Sequence, residues 1–306
     1  MKDINNNYKI QDLPSLSFIP RYHSKVKSWH EHKPFGCDIM HLSQPKLFVE
    51  LGTHHGDSYF TFCQTNKEYS IGSKCYAVDN WKGDAQCGYY GEEVFQKVTD
   101  YNQSQYRSFS ELIKSDFDNA LRNFENESID LLHIDGHHTY EAVKNDFQNW
   151  YPKVSKQGIV IIHDIMVRSK DFGVWKFWAE IESRFLSCSF THGHGLGIIM
   201  KGNGTKSQEI HHLIQTLIKC KYYEVLGNRI YMKYKCENIE STLININLDM
   251  QRLNKKLDDA ELKILEKSNE TRISKIESYN MSKELKELKE FKIIKLIIKL
   301  FKLSES

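Results

Sequence analysis

The chain has 306 residues, and 40% of them are hydrophobic, which is enough to bury one large core or two small ones. Its formal net charge of +2 is nearly balanced, so the composition excludes the strongly basic class of nucleic-acid-binding proteins. The seven cysteines form no C-x-x-C pair, which favours a reducing, cytoplasmic compartment over a disulfide-linked scaffold.

Short apolar runs alternate with helical patterns through the first two thirds of the chain. Strands that alternate with helices predict a parallel sheet with helices on both faces. In such sheets, ligands bind at the carboxyl ends of the strands. Seven strands are predicted, at 46–52, 74–80, 110–116, 128–135 and 157–164, with a final pair around a glycine-rich turn at 186–200.

The segment ELGTHHGDS, residues 50–58, ends the first predicted strand. Gly52 and Gly56 allow a tight turn that brings backbone close to a ligand, although one glycine of the dinucleotide fingerprint is missing. Glu50 is an acid in an apolar strand and needs a partner, either a ligand ammonium group or backbone donors of the loop. Asp79 ends the second strand, where a carboxylate can accept both hydroxyls of a ribose. The alternative is an ordinary strand–helix turn.

Two aspartates follow neighbouring strands. Asp135 ends the fourth strand and Asp164 the fifth, so we expect both to project into one crevice. Close carboxylates need a proton or cation between them, and Mg²⁺ suits oxygen ligands. His138, three residues after Asp135, is placed to take a proton from a substrate hydroxyl. His163 is either a ligand that favours Mn²⁺, Fe²⁺ or Zn²⁺, or a structural hydrogen-bonding residue.

A long aromatic insertion, residues 81–106, separates the second and third predicted strands. Long ordered insertions often form lids or binding loops. Trp81, Tyr89 and Tyr90 are candidates to stack on a sugar face or on an adenine. The alternative is that the helical pattern EEVFQKVTDY packs on the edge of the sheet.

The motifs E-L-G-T-x-x-G-x-S, V-D-N-W, L-L-H-I-D-G-x-H-x-Y-x-x-V-x-x-D-F and G-I-V-I-I-H-D, followed by D-F-G-V-W and H-G-H-G-L-G-I, lie within residues 46–200. Together they resemble class I S-adenosylmethionine-dependent methyltransferases, and most closely the branch with macrocin-type sugar O-methyltransferases and methyltransferase domains of glycan assembly. The resemblance implies an α/β fold with a Rossmann-like, doubly wound, seven-stranded sheet. It implies that Asp79 binds the ribose, that Trp81 contacts the cofactor and that Asp116 lies near the adenine. The methionine part would contact Glu50, Gly52, Thr53, Gly56 and Ser58.

The function implied by the resemblance is methylation of a hydroxyl group on a sugar or surface glycan. Asp135 and His138 would be catalytic, and Asp135, His163 and Asp164 would hold a divalent cation, Mg²⁺ or Mn²⁺. Metal-dependent relatives usually carry a second acid or amide beside the strand-five aspartate, where this chain has the pair His163-Asp164 followed by Ile165. The alternatives are an NAD-dependent enzyme, a metal hydrolase, and a silent methyltransferase-fold scaffold that recruits glycan-assembly partners through its C-terminal helix.

Composition changes near residue 237, after which the chain has no glycine or proline. We therefore expect an N-terminal segment over 1–45, a methyltransferase domain over 46–202, a connecting segment over 203–237 and a C-terminal coiled-coil helix over 238–306. The coiled-coil seam, and with it a homo-oligomer, is predicted from steps of three and four residues. The seam residues are Leu243, Ile246, Met250, Leu253 and Leu257.

The end of the chain, FKIIKLIIKLFK at 291–302, predicts a basic amphipathic helix. Its lysines recur at steps of three, four and three, which places them on one face with apolar residues around the rest. The run is too short to span a bilayer. We therefore expect no transmembrane helix, and a protein peripheral to the cytoplasmic membrane or bound to a glycan-assembly partner. The lysines are Lys292, Lys295, Lys299 and Lys302.

Overall fold

The computed structural model describes residues 10–84, 88–169, 171–270 and 275–304. The chain divides into two compact units, Met1–Tyr231 and Met232–Ser306. The first unit contains the sheet and the second is helical. None of the helices in the described ranges is long and apolar enough to cross a membrane.

The first unit is built on a seven-stranded sheet with the strand order β5-β2-β1-β6-β7-β9-β8. The first five strands in this order are parallel, and β9 runs antiparallel to both of its neighbours. The chain order reverses between β1 and β6, which is where doubly wound sheets bind ligands. This Rossmann-like, doubly wound sheet confirms the predicted fold class and all seven strands. The strands are β1 (Leu47–Leu51), β2 (Lys74–Asp79), β5 (Ser110–Lys114), β6 (Ile129–Ile134), β7 (Val154–His163), β8 (Leu186–Phe190) and β9 (Leu196–Met200), with a separate hairpin of β3 (Gly83–Asp84) and β4 (Gly88–Tyr89).

Helices cover both faces of the sheet because consecutive strand residues point to opposite faces. Phe48 of β1 packs into one core, and its neighbour Val49 packs into the other. Phe35 of α1 and Phe62 of α2 belong to the first core, and Phe147 of α5 belongs to the second. The helices of the first unit are α1 (Lys33–Ser43), α2 (Asp57–Glu68), α3 (Glu92–Gln105), α4 (Phe117–Ala120), α5 (Tyr140–Trp150), α6 (Val174–Ile181) and α7 (Thr205–Lys219).

The two segments predicted to flank the domain belong to its core. Within the predicted N-terminal segment, α1 buries Phe35 and Ile39 completely. Within the predicted connecting segment, α7 buries Leu213 and Ile214 against the same core. The segment at 203–237 is therefore not a linker, because its helix has an apolar face that the sheet covers.

The C-terminal part of the chain consists of two long helices, α8 (Tyr222–Glu270) and α9 (Lys275–Ser304). Within the second unit, α9 lies antiparallel to α8, because Lys299 contacts Asp249 while Lys289 contacts Glu261. Ile246, on the predicted seam of α8, is buried within this unit. The helical character of this region is thus confirmed, but it forms two antiparallel helices and not the one helix that was predicted, and the coiled coil and the homo-oligomer stay predictions.

Candidate active site

The loop between β1 and α2 brings its backbone against the end of β6. Gly52 has a φ of 85°, and a Cβ atom at this position would lie 2.1 Å from the carbonyl oxygen of Asp135. Only glycine permits both this conformation and this approach. Thr53 and Ser58 are buried and line the cavity that the loop borders, whereas the ideal Cβ position of Gly56 lies against the ring of Phe60. Gly52 and Asp135 both line the cavity, so the loop and the end of the strand form part of its wall.

Glu50 has a different partner from the two that we expected. Its Oε2 atom lies 2.8 Å from Nδ1 of His133, and both side chains are completely buried. Burial raises the pKa of Glu50, while the His133 imidazole opposes this shift. Glu50 is not among the residues that line the cavity in the described chain. The histidine of the neighbouring strand satisfies Oε2, whereas Oε1 has no hydrogen-bond partner among the described residues, so the predicted contact of Glu50 with the cofactor stays a prediction.

Asp79 organises the loops around the end of β2. Its Oδ2 atom accepts hydrogen bonds from the backbone N–H groups of Thr53, at 2.9 Å, and His54, at 2.8 Å. Its Oδ1 atom accepts from the N–H group of Trp81 at 2.7 Å. Each carboxylate oxygen has two lone pairs, so Oδ2 is fully engaged by its two donors and the acceptor capacity that remains is on Oδ1. Asp79 lines the cavity, in agreement with the place predicted for it.

The indole ring of Trp81 packs into the protein. The side chain is buried, its Nε1 atom donates to the carbonyl oxygen of His54 at 3.0 Å, and its ring contacts Phe95. Trp81 is absent from the cavity lining among the described residues, where Tyr90 is present with its ring against His54. The insertion therefore packs a helix against the core through Val98 of α3, and it also places Tyr90, one of the three candidate aromatic residues, in the cavity lining.

A polar group of side chains continues the cavity beyond β2 and β5. Asp116 lines it and accepts a hydrogen bond from the Nδ2 atom of Asn80 at 3.1 Å. Asp146 of α5 lines the same region and is 7% exposed. Burial, with a contribution from Asp118, raises the pKa of Asp146 to about 7. This end of the cavity therefore offers several oxygen acceptors to a ligand with N–H or O–H groups.

Asp135, His138 and Asp164 meet at the ends of β6 and β7. One ligand atom from each of the three lies within 4.8 Å of the others. The Nε2 atom of His138 is 2.8 Å from Oδ2 of Asp164 and 3.7 Å from Oδ1 of Asp135. The ring of Phe172 stacks on the imidazole of His138, with 4.6 Å between centroids. The predicted convergence of the two aspartates with His138 is present.

His163 lies behind this cluster and is buried. Its Nδ1 atom is 3.1 Å from Oδ1 of Asp135, and its Nε2 atom is 3.3 Å from the carbonyl oxygen of Gly193. Although burial favours the neutral form, the neighbouring carboxylates raise the pKa of His163 well above its usual value. The group with geometry for a metal ion consists of Asp135, His138 and Asp164, in which His138 takes the place expected for His163. The role of His163 as a ligand stays a prediction.

The histidines hold the two aspartates in their ionised form. Burial would raise the pKa of Asp164, but His163 and His138 lower it below the usual value. The Nδ1 atom of His194, in the turn before β9, lies 3.2 Å from Oδ1 of Asp164. Asp164 also has a φ of 63°, an uncommon backbone conformation for a residue with a side chain. Such conformations cluster at functional sites.

A second buried cluster lies beside the cavity, and no motif or periodicity in the sequence indicates it. The Nζ atom of Lys33 lies 2.8 Å from Oδ1 of Asp57, and His30 lies 3.2 Å from the same oxygen. The pKa of Asp57 lies well below its usual value because Lys33 and His30 outweigh the effect of burial. Ser28 and Trp29 of the preceding segment line the cavity. The N-terminal segment is therefore part of the site, although its polar residues are far from the motifs in sequence.

These elements enclose one cavity of about 760 Å³, which extends from the β1–α2 loop to the His138 cluster. Its volume is within the range of sites for small molecules and cofactors. Of the predicted residues, the lining contains Gly52, Thr53, Ser58, Asp79, Asp116, Asp135, His138 and Asp164.

Residues 49–165 match the family model described as a methyltransferase domain. A segment of 183 residues is 45% identical to an uncharacterized protein, y4gI, of Sinorhizobium fredii (strain NBRC 101917 / NGR234). That match covers 60% of this chain and 20% of the relative, so the chain spans about a fifth of the relative's length.

Two solved structures are similar at low identity. The O-methyltransferase TomG of Streptomyces achromogenes, in complex with S-adenosylmethionine, is 11% identical over 60% of this chain and 92% of that chain, with a TM-score of 0.42. The methyltransferase PaMTH1 of Podospora anserina, bound to S-adenosylhomocysteine, is 13% identical over 61% and 83%, with a TM-score of 0.43. The segment that matches the family model, residues 49–165, contains the glycine loop, Asp79 and the cluster of Asp135, His138 and Asp164.

Proposed function

We propose that the chain is an S-adenosylmethionine-dependent O-methyltransferase that methylates a hydroxyl group of a sugar or surface glycan. The observation that carries the proposal is the contact of His138 with Asp164, at 2.8 Å, in a cavity that also contains the glycine loop. An acceptor hydroxyl must lose a proton when its oxygen is methylated. The contact supplies a proton acceptor at the ligand-binding edge of a methyltransferase fold.

The β1–α2 loop fits the methionine part of the cofactor. At Gly52 a side chain would fill the space against Asp135, so the loop backbone can approach a bound molecule. The Oγ1 atom of Thr53 and the Oδ2 atom of Asp57 are buried and have no hydrogen-bond partner among the described residues. Both residues line the cavity. Buried polar groups are normally satisfied, so these two atoms indicate a polar ligand beside the loop.

The remainder of the cofactor would lie along the ends of β2 and β5. The Oδ1 atom of Asp79 would accept from a ribose hydroxyl, and Asp116 and Asp146 can accept from an adenine amino group. S-adenosylmethionine, when bound, supplies a sulfonium methyl group that a hydroxyl oxygen can take, leaving S-adenosylhomocysteine. The cofactor and the acceptor together would then fill the cavity from the glycine loop to His138.

His138 and Asp164 divide the work of proton removal. The imidazole of His138 takes the proton of the acceptor hydroxyl, and the carboxylate of Asp164 stabilises the resulting imidazolium. The stacked ring of Phe172 fixes the plane of the imidazole and keeps water from one of its faces. Because positioning of the reactants contributes much of the rate in such a transfer, these contacts serve catalysis directly.

A divalent cation also fits the cluster. Two carboxylates that lie close together attract a cation between them. Asp135, His138 and Asp164 would hold an Mg²⁺ or Mn²⁺ ion, which would make a bound hydroxyl more acidic as a Lewis acid. When His138 binds the metal, it cannot also accept the hydroxyl proton, which must then pass to another base.

The sugar acceptor is supported by the resemblance to the macrocin branch and by the polar residues around the cluster. Ser169 and His194 line the cavity beside Asp164 and offer hydrogen-bonding groups to a polyhydroxylated ligand. The alternative, a silent scaffold, is not favoured, because the glycine loop, Asp79 and the His138 cluster are all in place.

The test is incubation of the full chain with methyl-labelled S-adenosylmethionine and glycans from the native host, followed by mass spectrometry. Label in a sugar O-methyl group is the expected result, and a His138→Ala variant serves as the negative control. Label in an amine or a carboxyl group would contradict the acceptor class. The absence of label from every fraction, together with intact cofactor binding, would favour the silent scaffold.

A further inference from the structure

The outer face of α9, defined as Phe291, Ile293, Ile294, Ile297, Ile298 and Leu300, is apolar and exposed. Each of these six side chains exposes between 47% and 60% of its surface. At 100° per residue they occupy about half of the helix circumference. Exposed apolar residues are common singly, but a contiguous patch of this kind marks a surface that binds something.

The opposite face of the same helix is turned toward α8. Lys299 contacts Asp249 at 3.1 Å, and Lys292 donates a hydrogen bond to the side chain of Asn254. The side chains of Lys292 and Lys299 are accordingly less exposed than those of the outer face. The apolar half of α9 is therefore the half that α8 leaves uncovered, which is the reverse of an ordinary two-helix hairpin.

The exposed surface of α8 near this contact is mixed. Asn247, Gln251 and Lys255, spaced by four residues, are all exposed. Ile244 and Leu248 beside them are exposed as well, at 60% and 46%. The outer face of α9 is therefore the more uniformly apolar of the two surfaces, and a helix that lies at the boundary between water and lipid has such a face.

Charge decides which occupant covers the outer face. Between residues 291 and 304 the sequence has four lysines and no acidic residue. A second copy packed through the same face would place Lys295 of each copy beside an apolar interface whose outer-face residues include no acid to pair with it, which is unfavourable. An anionic lipid surface supplies the opposite charge and the apolar phase together. Lys295 is exposed and flanks the outer face, where its ammonium group can reach lipid phosphates.

We propose that α9 binds the surface of an anionic bilayer through its outer face and lies in the plane of the interface. The ten residues from Phe291 to Leu300 extend about 15 Å at the helical rise of about 1.5 Å per residue. This is about half of the hydrocarbon thickness, so the helix cannot span the membrane. The side chain of Lys302 lies outside the described side chains and is not needed for the proposal. The inference does not depend on the chemistry of the first unit.

The test is co-sedimentation of the full chain with vesicles of phosphatidylcholine alone and of phosphatidylcholine with phosphatidylglycerol. The variant Ile294→Asp/Ile298→Asp introduces two charges on the outer face. The matched control, Asn247→Asp/Gln251→Asp, introduces the same charges at the same spacing on the exposed face of α8. Circular dichroism and cofactor binding confirm that both variants are folded.

The expected result is that wild type and control bind the anionic vesicles, and that the outer-face variant partitions more than about tenfold less, because two isoleucines no longer enter lipid. Binding should also fall with rising salt. Equal partitioning of the two variants would overturn the proposal. So would an oligomer, seen by light scattering without vesicle binding, that the outer-face variant dissociates, because a second copy would then cover this face.

Discussion

The Nε2 atom of His138, just after β6, lies 2.8 Å from the Oδ2 atom of Asp164, at the end of the neighbouring strand β7. This contact joins the loop after β6 to the end of β7 at the point where both aspartates are ionised. A histidine beside an ionised carboxylate is a stronger proton acceptor than one in water, because the carboxylate stabilises its charged form. The pair is therefore the centre of the proposed chemistry.

Substitution of His138 by alanine should lower turnover by about 10²- to 10⁴-fold, the usual contribution of a general base. The affinity for S-adenosylmethionine should change little, because the glycine loop and Asp79 are untouched. Single-turnover kinetics and calorimetry measure the two quantities separately. A similar loss in both would show that the residue supports the fold of the cavity and not proton transfer.

Exhaustive chelation tests the divalent cation without altering the chain. If Asp135, His138 and Asp164 hold an ion, chelation should abolish transfer, and added Mg²⁺ or Mn²⁺ should restore it. Asp135→Asn should then weaken the binding of the metal, so that half-maximal activity requires a higher metal concentration. Full activity in the chelated protein would remove the metal from the mechanism and leave His138 as the base.

The buried ion pair of Lys33 and Asp57 should matter for stability. Lys33→Met leaves the Asp57 carboxylate without its closest cation, which should lower the free energy of unfolding by about 3–5 kcal/mol. In Lys33→Met/Asp57→Asn no buried carboxylate remains at this position, so part of the lost free energy of unfolding should be recovered. Urea unfolding of wild type and the variants measures both values. Equal stability of the single variant and wild type would mean that water or another cation replaces Lys33.

Asp146 should make stability depend on pH near neutrality. Its pKa is raised from 3.8 to about 7 by burial and by Asp118. The folded state therefore binds the proton more tightly than the unfolded chain, and stability falls as pH rises between these two values. Asp146→Asn removes this titration and should stabilise the protein above about pH 7 by about 1–4 kcal/mol. Parallel stability curves for wild type and variant across this pH range would contradict the assignment.

The strands and the meeting of Asp135 with Asp164 could be predicted because both depend on local patterns. Apolar runs mark buried strands, and the carboxyl ends of parallel strands share one edge of the sheet. The pair of Glu50 and His133 left a weaker signal. Each is the penultimate residue of its strand, and the register of β1 and β6 places them opposite one another. An acid and a histidine at matching positions could have indicated the contact.

Other contacts were beyond prediction because they join distant segments without a common pattern. The state of His163 depends on the carbonyl group of Gly193, in a turn 30 residues later. The burial of Trp81 depends on how the insertion folds back on His54. Lys33 and Asp57 lie on different helices with no periodic relation between them. In each case packing decided the role of a side chain that its sequence neighbours left open.

The most direct measurement of the central claim is calorimetric titration of S-adenosylmethionine into wild type and Asp79→Ala, with NAD as the competing cofactor. Wild type should bind S-adenosylmethionine and not NAD. Asp79→Ala should lose about 1.5–3 kcal/mol of binding free energy, because a charged acceptor for the ribose and for three loop amides is removed. Millimolar or weaker affinity in wild type, preference for NAD, or unchanged affinity in Asp79→Ala would contradict the account.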